Sequence, residues 1–104
     1  MLNTIRNLFG MGVKTDYAQM VKNGAIILDV RSKGEFESGH IRGSINIPVD
    51  QLRNNLNKLK DKNKPIITCC ASGMRSASAK ALLKSAGYQE VYNGGGWHGL
   101  QKRL

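Results

Sequence analysis

Several things are scarce in this 104-residue chain, and each scarcity excludes something. No stretch approaches the ~18 consecutive apolar residues of a membrane-spanning helix, and the first residues lack the ~7–15-residue apolar centre of a secretory signal. Neither membrane spanning nor export is expected. Cysteine is nearly absent: Cys69 and Cys70 are the only two, and they are neighbours. A bridge between them would be a strained vicinal ring that closes no loop and adds little stability, so a reducing cytoplasm fits best. Acid is scarce as well, with seven Asp and Glu against sixteen Lys and Arg and a formal net charge of +9. Such a chain attracts anions: small oxyanion substrates, acidic carrier proteins, membrane surfaces or nucleic acid. The one local basic cluster, Arg53, Lys58, Lys60, Lys62 and Lys64, flanks a polar connector rather than interleaving with aromatics, which reads as a solvated face and not as a nucleic-acid footprint.

What remains is an ordinary globular composition, 40% hydrophobic and 22% charged, enough for one core and one domain. Residues 1–12 read as an amphipathic extension, with Leu2, Ile5, Leu8 and Phe9 on one side of a helical wheel, able to dock on the body or on a lipid surface. Residues 13–104 form the domain. Thr15 is the expected N-cap of a helix over 16–23, closed by Asn23 and Gly24. Residues 25–30 are a continuous apolar run with β-branched bias, which suits a strand buried on both faces at the centre of a sheet. A helical turn over 33–38, a glycine-flanked turn over 39–43 and a strand over 44–47 halted by Pro48 follow. Leu52, Leu56 and Leu59 predict a helix over 50–59. A third apolar run, 65–69, precedes a helix over 77–86, and a short strand at Val91 and Tyr92 leads through a glycine turn into a closing helix from Trp97. Strands and helices alternate throughout, which predicts an α/β fold of three layers, a mainly parallel central sheet with helices on both faces.

The six-residue segment Cys70 to Arg75 lies between the third strand and the helix after it. In such folds ligands gather where strand carboxyl ends meet helix starts, because amides point outward there and the helix dipole favours negative charge. A Cys at that junction, beside an Arg and in a loop with Gly73, has three causes of a lowered pKa: unpaired amides, the dipole and the guanidinium. Ser72 and Ser76 add small donors, and Gly73 lets successive amides converge on an anion. A cysteine so placed is equally well a small buried hydrophobe, and the loop by itself leaves both readings open.

Cys70-Ala71-Ser72-Gly73-Met74-Arg75-Ser76 resembles the active loop of the rhodanese-like sulfurtransferases. Three further stretches are similar to that family's elements in the expected order: Asp29-Val30-Arg31; Glu35 with residues 39–44 and Asn46-Ile47-Pro48; and Gly94-Gly95-Gly96 with Trp97. The resemblance spans about residues 13–103. It implies the family's three-layer fold and a sulfane-sulfur transfer cycle in which Cys70 takes sulfur from thiosulfate or another persulfide donor and passes it to cyanide or a thiol. It implies no metal and no organic cofactor. Ala71, Ser72, Gly73, Met74 and Arg75 are then the substrate-binding residues, with the amides of 71–75 around the sulfur and Arg75 either adding charge or closing the loop through backbone carbonyls.

Asp29 and Arg31 read as scaffold, satisfied by an ion pair or by loop backbone, and His40, His98 and Trp97 as structural rather than catalytic or metal-binding. Counted from Cys69, five residues precede Arg75, the spacing of cysteine-dependent phosphatases and arsenate reductases, so a phosphatase using Cys69 is the alternative enzyme. Against it, Thr68 stands where such enzymes usually have His. A non-catalytic binding module on the same scaffold is the other alternative, disfavoured because such relatives typically lose the loop Cys. Since Arg75 is the loop's only cation, thiosulfate is expected to be a poorer donor than glutathione persulfide or a partner protein. An acidic acceptor protein and a monomeric state are the remaining expectations.

Overall fold

The computed structural model describes residues 15–104. The proposed 1–12 extension lies outside the described residues. In chain order the elements are α1 (Tyr17–Lys22), β1 (Ile26–Asp29), α2 (Lys33–Ser38), β2 (Ile45–Asn46), α3 (Val49–Leu52), a 3₁₀ segment (Arg53–Lys58), β3 (Ile66–Cys70), α4 (Met74–Ser85), β4 (Val91–Gly96) and α5 (Trp97–Gln101). The four strands form one sheet in the order β2-β1-β3-β4, and every pairing is parallel. β1 and β3, the two most apolar runs, are the inner strands, as the sequence pattern requires of segments covered on both faces.

Alternation along those two strands divides the core. Leu28, Val30, Ile66 and Cys70 point to one face, where Leu52 and Leu59 and then Ala79 and Leu83 of α4 cover them. Ile27, Ile67 and Cys69 point to the other, under Tyr17 of α1 and Leu100 of α5. Period-two geometry makes this unavoidable: consecutive strand residues project to opposite sides of a sheet. Cys69 and Cys70 therefore sit in different cores, both as free thiols.

Local structure departs from expectation in a few places. The cap of α1 is Asp16, whose carboxylate accepts from Gln19 N–H, and not Thr15. Residues 50–59 do not form one helix: α3 is a single turn, continued by the 3₁₀ segment with a kink at Asn55 (φ −127°, ψ 23°). Leu52 and Leu59 still reach the core, because packing only needs the side chains on one side and tolerates the tighter winding. α4 starts at Met74, three residues before the expected start, so the loop that holds Cys70 is shorter than its sequence suggests. β4 continues to Gly96 with a register shift opposite Thr68 and Cys70, and this brings the glycine strip alongside the loop. Its strand character came from pairing with β3 rather than from its own sequence, which is why the run reads as a turn.

Candidate active site

β3 ends at Cys70, and Ala71, Ser72 and Gly73 turn the chain into α4. Gly73 holds the turn with φ +103°, left-handed backbone that costs other residues roughly 1–2 kcal/mol, and a Cβ there would also stand 3.4 Å from Gly95 Cα. On the β4 side, Gly96 passes so close to the loop that a Cβ would lie 3.0 Å from the Ala71 carbonyl oxygen.

Cys70 is fully buried, yet its sulfur is not in an apolar setting. Gly73 N–H donates to Sγ at 2.9 Å and Ser76 N–H at 3.4 Å, and Ser76 Oγ lies 3.6 Å away. Burial pushes the Cys70 pKa up, but the Ser76 hydroxyl and the amides of Ser76, Gly73 and Ser72 together outweigh it, and the net shift is downward from 9.0. Cys69 is the reverse case. Burial, with the Asp29 carboxylate adding to it, pushes its thiol up to about 12. Fully enclosed on the far face of the sheet, Cys69 takes no part in the loop.

The expected loop residues are placed as follows. Ala71, Ser72 and Met74 are exposed, Met74 at 79%. Arg75 does not close the loop through backbone carbonyls: its guanidinium makes a two-pronged bond to Glu35 on α2, Nη1–Oε1 2.8 Å and Nη2–Oε2 3.0 Å. A carboxylate within reach is a better partner for a planar guanidinium than a carbonyl. Glu35 in turn is fixed by a capping box with Ser32, and Arg75 holds its carboxyl at about 2, well below 4.5. The amides acting on Sγ are those of Ser76, Gly73 and Ser72, so the set differs from the expected 71–75 in including the first turn of α4 at Ser76.

Two participants have no role in the sequence reading. Glu35 figures there only as part of a pattern, since nothing in its neighbourhood indicates a partner 40 residues away. Asn93 reads as a turn residue, whereas its Oδ1 accepts from Ser76 Oγ at 2.5 Å and from Gly95 N–H at 2.9 Å, and its Nδ2 donates to the Gly73 carbonyl at 3.3 Å. An Asn ahead of a glycine run is the only available hint of that job.

Asp29 and Arg31 behave as scaffold. Arg31 Nη2 pairs with Asp29 Oδ2 at 2.7 Å, donates to the Gly39 carbonyl at 2.6 Å, and stacks over Trp97 at 4.6 Å from the ring centre. His40 is held by its Nδ1 against the Phe36 carbonyl at 2.7 Å and by stacking on the Phe36 ring. Beside the loop, Val30, Phe36, Pro48 and Val49 floor a cleft of about 710 Å³ whose rim includes Lys33, Lys58 and Arg75. Cys70 does not line it. Among the described residues, no helix is long and apolar enough to cross a membrane.

Comparison with known proteins agrees with this geometry. The model of the rhodanese-like domain matches residues 13–103. The YqhL protein of Bacillus subtilis is 41% identical over 69 residues, a match covering 66% of this chain and 54% of that protein. Thiosulfate sulfurtransferase PspE of Escherichia coli is 34% identical over 70 residues, covering 66% of this chain and 67% of that one. The solved structure of a rhodanese with anions from E. coli is similar with a TM-score of 0.69 at 31% identity, covering 73% of this chain and 91% of that chain. The chain spans about half the length of the first curated relatives it matches. With nearly every described residue inside the match and the same parallel sheet beneath it, the chain belongs to the rhodanese-like domain family.

Proposed function

We propose that the chain is a sulfurtransferase that carries sulfane sulfur as a persulfide on Cys70. The observation behind this reading is the convergence of Gly73 N–H, at 2.9 Å, and Ser76 N–H, at 3.4 Å, on one sulfur at a strand end. Fixed donors of this kind stabilise a thiolate before any substrate arrives and need no reorganisation when the charge moves. In the first half-reaction Sγ attacks the outer sulfur of the donor. A new S–S bond forms, the donor's own bond to that sulfur breaks, and the leaving group departs with its electron pair as sulfite, if thiosulfate is the donor, or as a thiolate. In the second, cyanide or a thiolate attacks the outer sulfur of the persulfide, and Cys70 recovers its electron pair as thiolate. Neither half needs an external oxidant or reductant.

The donor reading follows from charge. Arg75 is the loop's only cation, and its guanidinium already answers the Glu35 carboxylate. A doubly charged thiosulfate thus meets little uncompensated positive charge at the loop, and glutathione persulfide or a protein persulfide is the better donor. Ala71, Ser72, Gly73, Met74 and Arg75 form the contact surface for it. Because Cys70 is enclosed, the exposed residues 71, 72 and 74 must yield locally for an outer sulfur to reach Sγ. A phosphatase built on Cys69 would need that side chain inside the loop, and it packs instead with Ile27, Ile67 and Leu100.

The test is transfer of sulfur to cyanide from thiosulfate and from glutathione persulfide, with Cys70→Ser and Cys69→Ala compared, and aryl-phosphate hydrolysis measured beside it. Transfer lost only with Cys70, and faster loading from the persulfide, is the expected result. Activity that survives Cys70→Ser but not Cys69→Ala would reverse the assignment, and faster loading from thiosulfate would overturn the donor reading.

A further inference from the structure

The geometry points to Asn93 as a positioning residue for the Cys70 sulfur, acting through the single proton of the Ser76 hydroxyl. The inference rests on Cys70 being the nucleophile, as proposed above. Ser76 is fully buried and its hydroxyl has one proton to give, while three acceptors lie around its oxygen: Asn93 Oδ1 at 2.5 Å, the Gly73 carbonyl at 3.0 Å and Cys70 Sγ at 3.6 Å. With the proton toward Asn93, the Ser76 oxygen presents lone pairs to the sulfur, and the thiol S–H can donate to it. A thiolate needs the opposite arrangement, with the proton turned to Sγ.

Turning the proton strands nothing. Asn93 Oδ1 keeps the bond from Gly95 N–H at 2.9 Å, and the Gly73 carbonyl keeps those from Asn93 Nδ2 at 3.3 Å and Ala77 N–H at 3.1 Å. Each acceptor that Ser76 leaves retains another donor, so neither position of the proton carries the penalty of an unpaired buried group. Asn93 is fixed for this role by its own strand, its carbonyl accepting from Tyr17 Oη at 3.3 Å. Its Oδ1 competes with the sulfur for one proton, and the competition sets how readily the thiolate forms. The three residues that follow Asn93 in β4 are glycines, so beside the loop this strand reaches toward Cys70 through the Asn93 side chain.

The charged groups nearby, Arg75 at the start of α4, Glu35 from α2, and Asp29 and Arg31 at the end of β1, are the same in every variant of the test. Site-resolved alkylation of Cys70 by iodoacetamide, followed by peptide mass spectrometry across pH, is the readout. Asn93→Ala removes the nearer of the two competing acceptors and leaves the Gly73 carbonyl, so the alkylation midpoint falls by roughly half a pH unit and the rate below the midpoint rises about threefold. In a Ser76→Ala background the same change has no effect, because the proton it acts through is gone. Asn93→Asp keeps the acceptor and charges it, so the midpoint rises, and by more with Ser76 present than without it. That variant serves if Asn93→Ala melts too early to assay. An Asn93→Ala shift of equal size with and without Ser76, an upward shift, or no shift would overturn the inference while leaving Cys70 as nucleophile. A wild-type Cys70 no more reactive than free cysteine would overturn both.

Discussion

Cys69 and Cys70 are one peptide bond apart and chemically opposite. Both are fully buried, and burial raises the pKa of each. The difference lies in what faces each sulfur. Cys69 points at Tyr17, Ile27 and Leu100 and meets no donor, so its thiol is pushed up to about 12. Cys70 points at the loop and meets the amides of Gly73, Ser76 and Ser72 and the Ser76 hydroxyl, which together overcome its shallower desolvation. Low surface exposure alone therefore does not decide the reactivity of a cysteine. The strand's period of two sets which sulfur receives the donors, and a one-residue slip of β3 would exchange the two roles.

The largest test of that contrast crosses activity with stability. Cys70→Ser should abolish sulfur transfer with little change in Tm, since the serine hydroxyl can take up the waiting donors. Cys69→Ala should leave transfer intact and cost about 1 kcal/mol, roughly 5 °C in Tm, for the lost packing. A drop in Tm with Cys70→Ser larger than with Cys69→Ala would break the comparison. Next in size is alkylation of the native protein at neutral pH. Cys70 should react and Cys69 stay silent, and both should react alike in strong denaturant, where the sheet no longer separates them. The rate at Cys70 should rise with pH through a midpoint below 9.0, because its thiolate is favoured by folding.

Gly73→Ala is expected to cost about 1–2 kcal/mol, from the left-handed backbone it occupies. It should also slow Cys70 alkylation while leaving Cys69 as it was, checked by urea melts and peptide mapping. The smallest effect is at Glu35. Its folded pKa, about 2, lies below the ordinary 4.5, so its pairing with Arg75 stabilises the fold fully above pH 4.5 and is lost as pH falls through about 2. Glu35→Gln should flatten that acid limb in thermal melts. It should also free Arg75 and raise loading from thiosulfate relative to glutathione persulfide, measured as a ratio of initial rates.

Much of this was legible in the sequence because it rests on local rules. The apolar runs at 25–30 and 65–69 fix the two inner strands, and the alternation of strands with helices fixes the class. Cys70 and Gly73 stand out as candidates because a strand end, a glycine and a helix start fall within six residues, but the loop alone reads equally well as packing, and only the family resemblance favours chemistry there. What stayed hidden depends on contacts distant in sequence. Glu35 meets Arg75 across 40 residues, and Asn93 reaches Ser76 from a strand whose pairing its own glycines conceal. The 3₁₀ winding after Leu52 was hidden for another reason: the leucine spacing satisfies either helix, and the core accepts both.

The most direct measurement is peptide mass spectrometry of the protein after incubation with glutathione persulfide and, separately, with thiosulfate. The account predicts a single added sulfur on Cys70, discharged by cyanide, with Cys69 unmodified throughout. Sulfur found on Cys69, or none on Cys70 with either donor, would contradict it.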